Sequence, residues 1–183
     1  AATLFSQALS HAPDDLVILQ DYLRALLASK QDPEAERVLH AQLAKAPRDP
    51  NVWRLAGRHY VALHQLEQAE KAFRKAVDLA PGAALAHYEL GQLYLFERNL
   101  SAAGSAFQVA LKKEETNSEF HTALGMTLAS QEQVDAANAH YRRAVQLDPN
   151  NVVAANNLAA GLSEQRDLDD ALGLALAALE RAP

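Results

Sequence analysis

The side chains best suited to chemistry in this chain are its histidines, one acidic cluster and one pair of arginines. His87 and His121 stand 34 residues apart. Imidazoles are good metal ligands, but ligands must converge to about 2 Å from one ion. Equivalent residues on successive helices are held a helix-packing distance apart instead. That pair alone holds no metal, and a structural role is expected for it. His59 and His64 are five residues apart and do not share a helix face. His140, beside Tyr141, is expected at the surface. Asp167, Asp169 and Asp170 precede a predicted helix, where negative charge complements the macrodipole. A calcium loop would need more oxygen ligands at alternating positions and a glycine turn. The sequence has no nucleophile turn with matching histidine and aspartate, and no glycine-rich phosphate loop. Neither enzymatic activity nor a cofactor or metal is expected.

Arg54 and Arg58 are different. They are i and i+4, so on a helix they share a face. Two like charges there cost stability unless something anionic or polar meets them. Arginine grips carboxylates in bidentate fashion, so this face suits an acidic group. The competing reading is that Asp21 and Glu89 pair with these arginines on a solvated surface, where ion pairs are weak.

The elements that position these residues are read from a period. Ala35, Ala69, Ala103, Ala137 and Ala171 are 34 residues apart, and Ala1 keeps their register. Phe5, Leu39, Phe73, Phe107 and Tyr141 form a second column, and Ala8, Ala76, Ala110, Ala144 and Ala178 a third, with Gln42 as the exception. Pro13, Pro47, Pro81, Pro149 and Pro183 form another, with Glu115 in the open slot. Gly57, Gly91 and Gly125 recur upstream, flanked by Leu23 and Ala159. A 34-residue period is that of a helical-hairpin repeat array. The small residues of the Gly57 and Ala69 columns fall on successive helices that must approach closely. The aromatic column is expected to fill the space between neighbouring hairpins. Proline stops each second helix. Asp15, Asp49, Asn117 and Asn151 are N-cap types two residues later, and Pro50 suits a first helical position. Asp32-Pro33 gives a similar start signal before a second helix.

Composition agrees with an all-α chain. The 183 residues are rich in alanine and leucine, and 49% are hydrophobic, enough for a packed interior. No run of alternating β-branched residues suggests a strand. The net charge of −6 argues against a nucleic-acid partner, which calls for a basic face. With no cysteine there is neither a disulfide framework nor a thiolate metal site. No stretch is long and apolar enough to span a bilayer.

The columns resemble the tetratricopeptide repeat. Pro50 to Pro81 matches best, carrying Trp53, Gly57, Tyr60, Ala69, Phe73, Ala76 and Pro81 at marker positions. The resemblance covers the whole chain: a lone second helix in 1–15, then repeats at 16–49, 50–83, 84–117, 118–151 and 152–183. Markers weaken at both ends, where Leu19 and Leu23 replace Trp and Gly, and Ala155 and Ala175 replace large residues. The family fold implied is all-α, a right-handed superhelical array of antiparallel helix pairs. The first helix of each pair lines a concave groove. Mapped onto this chain, the groove offers Gln20, Asp21 and Arg24, then Asn51, Arg54 and Arg58. It continues with Tyr88, Glu89, Gln92, Leu95 and Phe96, then Glu119, Thr122 and Met126, and ends with Asn156, Asn157 and Ser163.

The expectation that follows is a protein-interaction scaffold. Its groove has an arginine-lined N-terminal part and an apolar middle of Tyr88, Phe96 and Met126, for an extended peptide or partner helix bearing an acidic group. Two known family grooves are absent. The slots of the chaperone-tail clamp hold Arg54, Arg58, Glu89, Glu119 and Ala123, and those of the asparagine ladder hold Asp21, Leu55, Glu89, Ala123 and Asn157. The last repeat, with Val152 to Ala159 and Asp167 to Leu172, is similar to late repeats of large bacterial members linked to exopolysaccharide export. This implies a bacterial periplasmic or envelope assembly, with a cytoplasmic setting as the alternative. A substrate-recruiting region of a larger enzyme, such as a glycosyltransferase, is the other functional reading. The chain begins inside a repeat and stops on a proline, with Leu172, Leu174, Leu176 and Leu179 uncovered. A piece of a longer array is therefore expected, able to stack end to end on another copy.

Overall fold

The computed structural model of the chain describes residues 2–164 and Gly173. The acidic cluster at Asp167 and the leucines from Leu172 onward lie outside the described residues. Within them run ten helices and no strand. These are α1 (Ala2–His11), α2 (Leu16–Ala28), α3 (Asp32–Lys45), α4 (Pro50–Ala62) and α5 (Leu66–Leu79). They continue as α6 (Ala84–Phe96), α7 (Leu100–Lys113), α8 (Ser118–Ser130), α9 (Val134–Leu147) and α10 (Val152–Glu164). No helix among the described residues is long and apolar enough to cross a membrane. The chain divides into two compact units, Ala1–Pro81 and Gly82–Pro183.

The helix starts follow local chemistry. Asp15 accepts from the Val17 and Ile18 amides, Asp49 from Asn51, and Asn117 from Glu119 and Phe120. Asn151 accepts from the Ala154 amide at 2.9 Å. Each satisfies donors that the first turn leaves open. At α6 the same place is held by Ala83, which has no side chain to cap with. The second helices begin differently. Gln31, not Asp32, stands at the cap of α3 and makes no side-chain cap bond; Asp32 sits inside the first turn, where its charge meets the helix dipole.

Between the two helices of a hairpin the chain makes one recurring turn. Lys30, His64, Arg98 and Glu132, again 34 apart, have φ of 55°, 56°, 62° and 61°. The next amide reaches back to the carbonyl five residues earlier, as from Gln31 to Leu26 and from Gln133 to Leu128, both 2.9 Å. This is the Schellman closure, which usually takes glycine at the left-handed residue. All four positions carry a Cβ here.

The second helices end two residues before the proline column. Ala46, Ala80 and Asp148 leave the helical region, at φ −128°, −138° and −138°. Glu114 does the same at φ −136° although Glu115, not proline, follows it. Proline thus reinforces a bend that packing already imposes.

In the first unit, α2 packs on α1, α3 and α4, and α4 on α3 and α5. Its core joins Leu19, Tyr22, Leu23, Leu26, Leu39 and Leu55, with Trp53 and Tyr60 packed against it. In the second unit, α8 packs on α6, α7, α9 and α10. The column alanines Ala35, Ala69, Ala103 and Ala137 are fully buried. A Cβ built on Gly57, Gly91 or Gly125 would stand 2.5, 2.7 or 2.6 Å from the ring of Phe73, Phe107 or Tyr141. The aromatic column therefore seats on the glycine of its own hairpin and also reaches the next one, where Tyr141 shares a buried cluster with Leu158 and Leu162 of α10. In the first repeat Leu23 and Leu39, both buried, exchange bulk across the same contact.

Candidate functional site

In each unit, neighbouring first helices flank a cavity. In the first unit, Gln20, Leu23, Arg24 and Leu27 of α2 face Leu55, Arg58, His59 and Ala62 of α4 across a cavity of ≈ 220 Å³. Arg24 and Arg58 are exposed. His59 is 4% exposed, and neither of its ring nitrogens meets a hydrogen-bonding protein atom. Burial pushes its pKa below the ordinary 6.5, with Glu36 and Asp32 pulling partly the other way. A neutral imidazole at the wall of a cavity with two guanidinium groups can donate to or accept from an incoming polar group. An anionic guest would also favour its protonated form.

Both arginines of the expected pair stand on α4, and Arg58 lines this cavity. Arg58 shares its cavity with Arg24, a helix away. Arg54 turns its guanidinium to the Asn51 side-chain oxygen at 3.0 Å. The Asp21 carboxylate lies 3.4 Å from Arg24.

The second unit holds a wider cavity of ≈ 550 Å³. Tyr88, Gln92 and Leu95 of α6 supply one wall, Glu119, Thr122, Ala123 and Met126 of α8 another, and Asp148 with Asn150 to Val153 a third. Tyr88 is anchored by its ring, which stacks on Phe120 with centroids 4.7 Å apart and leans on Phe107 at 5.7 Å. Its hydroxyl accepts from the Gln92 amide at 3.0 Å, and burial raises its pKa. Met126 and Val153 are exposed at this cavity, 40% and 54%. They offer an adaptable apolar lip.

The floor of that cavity is pinned by Asn151. Its amide donates to Ser118 Oγ at 2.7 Å and to Thr122 Oγ1 at 2.9 Å. Ser118 in turn donates to the Ala144 carbonyl at 3.0 Å, and Thr122 to the Ser118 carbonyl at 2.9 Å. A network whose members are paired in this way rigidifies its surroundings.

Of the residues expected in the groove, Gln20, Arg24 and Arg58 come together in the first cavity, and Tyr88, Gln92, Leu95, Glu119, Thr122 and Met126 in the second. Phe96 closes α6 as a 61% exposed side chain. Asn156 is exposed on α10, and Asn157 spends its amide on the Val153 carbonyl at 2.9 Å. Sequence reasoning missed His59, Asp148 and Val153 as cavity walls. It saw Asn151 only as a cap.

His140 also departs from expectation. It is half-buried and places its Nδ1 2.9 Å from Nδ1 of His121. His121 holds the Trp53 column in its own repeat. Trp53 Nε1 donates to the Pro47 carbonyl at 2.9 Å, and His121 Nε2 lies 3.1 Å from the Glu115 carbonyl, in each case six residues back. Among the described residues no group of three or more His, Asp or Glu side chains is placed to hold a metal.

Three family models match, all of the tetratricopeptide repeat, over residues 1–58, 54–119 and 118–151. The chain belongs to the tetratricopeptide repeat family. Solved structures of the same kind are similar along most of its length. A MamA segment from Desulfovibrio magneticus RS-1 is 20% identical, with TM-score 0.76, covering 92% of this chain and 95% of its own. YrrB, described as a TPR protein with an unusual peptide-binding site, is 21% identical with TM-score 0.68, covering 100% and 94%. TTC0263, a thermophilic TPR protein of Thermus thermophilus, is 25% identical with TM-score 0.72, covering 88% and 89%. No curated protein sequence matches. These likenesses establish the tetratricopeptide fold.

Proposed function

We propose that this tetratricopeptide repeat chain captures segments of partner proteins through the two cavities on its first helices. The first-unit cavity takes an acidic side chain or terminal carboxylate against Arg24, Arg58 and His59. The second-unit cavity takes an apolar side chain between Tyr88, Leu95, Met126 and Val153. The carrying observation is the buried, unpartnered His59 at the wall of a cavity that two arginines share. A buried polar group without a partner costs about 1–3 kcal/mol, and an arriving hydrogen-bonding guest would recover part of it. The described YrrB peptide site supports a peptide as the guest in a chain of this fold. The reading includes a bacterial envelope setting, supported by the Val152 to Ala159 run and the alanine-rich composition. Fractionation of the native host tests that part.

Selection of a random peptide library on the purified chain tests the binding claim. Enriched peptides should carry Asp or Glu, and their affinity should fall about tenfold or more in Arg58→Ala, a loss of roughly 1.4 kcal/mol. Enrichment that ignores acidic residues, or binding unchanged in both Arg24→Ala and Arg58→Ala, would sink it.

A further inference from the structure

The second unit also has a cavity walled by two histidines from different helices. It measures ≈ 450 Å³ and is lined by Gln108, Glu115, His121, His140 and the basic residues Lys112 and Arg143. Two imidazoles from different helices, α8 and α9, point nitrogen to nitrogen into it. The hydrogen bond in the Trp53 column fixes the state of the first ring. An indole nitrogen only donates, and the Glu115 carbonyl only accepts. His121 therefore carries its proton on Nε2, and its Nδ1 presents a lone pair. That lone pair faces His140 at 2.9 Å. Metal-bound histidines are oriented in just this way, with the far N–H held by a carbonyl or carboxylate.

The spacing fits as well. Two imidazoles on one tetrahedral ion at about 2.0 Å place their nitrogens about 3.3 Å apart and their ring centres about 5 Å apart. The observed values are 2.9 Å between nitrogens and 5.2 Å between ring centres, with the rings tilted by 35°. Rotation of each ring would turn the two nitrogens from facing one another toward a shared point beside them.

We propose that His121 and His140 form a two-histidine site for a borderline divalent cation of the zinc or nickel class, which imidazole suits. Without metal, His140 donates its Nδ1 proton to His121. On binding, that proton moves to His140 Nε2, so both Nδ1 lone pairs serve the ion and none leaves the neutral pair. Water completes the coordination, with the Glu115 and Gln108 side chains along the same wall. Lys112 and Arg143 oppose the positive charge, so affinity is moderate.

Calorimetric titration of the tag-free chain with Zn²⁺ and with Ni²⁺ near neutral pH tests this. One ion per chain should bind saturably, and affinity should drop roughly tenfold or more in His121→Ala and in His140→Ala. It should stay unchanged in His11→Ala. Co²⁺ added to the unaltered chain should develop the intense visible absorption of a low-coordinate site, a readout that needs no variant to fold. Absence of saturable uptake by the unaltered chain, or uptake by His121→Ala and His140→Ala as tight as that of the unaltered chain, would reduce the pair to a hydrogen bond and overturn the site.

Discussion

Gly91 has no room for a side chain, because the Phe107 ring occupies the place of its Cβ at 2.7 Å. The ring is fully buried and bounded by Tyr88, so it cannot retreat freely. Gly91→Ala should destabilise the protein by about 1–3 kcal/mol, the usual cost of overpacking, measured by urea unfolding. Phe107→Leu in the same chain should recover part of that loss, as the natural Leu23 and Leu39 exchange indicates. His59 sets a second expectation. Burial lowers its pKa from 6.5, so as pH falls the unfolded chain takes up the proton first. Stability is then complete above about 6.5 and declines as pH drops through that value toward the lower folded pKa. His121 and His140, also lowered by burial, add the same sign. His59→Leu should raise stability near neutral pH and flatten this acid limb, while weakening capture of acidic peptides. A melt series across mildly acid pH that shows the same slope in both proteins would contradict the expectation.

At the scale of elements, the 34-residue columns made every described hairpin legible, because a repeat must bury the same positions each time. The caps at Asp15, Asp49 and Asn117 could be read directly. The left-handed turn could not. Its sequence signal is usually glycine, and here it carries Lys30, His64, Arg98 and Glu132. The flanking helices hold that residue in place, so its type is free. Glu132→Gly should therefore stabilise the protein by about 0.5–1 kcal/mol, the side-chain cost of φ > 0 less the backbone entropy that glycine adds. Chemical denaturation would show a raised midpoint with an unchanged slope. Asn151→Ala has the opposite sign. It removes a cap and abandons two hydroxyls, and about 1–3 kcal/mol should be lost.

For the whole molecule, repeat stability is approximately a sum of local and nearest-neighbour contributions. Trp53 is the chain's single tryptophan and lies in the first unit, while Phe107 belongs to the second. Phe107→Ala should thus lower the midpoint followed by circular dichroism and leave the Trp53 fluorescence midpoint nearly in place. Coincident shifts of both probes would show one cooperative transition instead. The candidate site was half legible at this scale. The resemblance to the tetratricopeptide repeat pointed to Arg24, Arg58, Tyr88, Gln92 and Met126, because they stand at the positions of the first helices that line the groove in that family. His59 and Val153 were hidden, because their role depends on where neighbouring helices leave a gap, which no single helix encodes. The most direct test is chemical-shift mapping of a library-selected acidic peptide on the isotope-labelled chain. Perturbations should concentrate at Gln20, Arg24, Arg58 and His59, and at Tyr88, Gln92 and Met126 where the peptide carries an apolar residue. Shifts confined to the exposed faces of α5, α7 and α9 would contradict capture by the first helices.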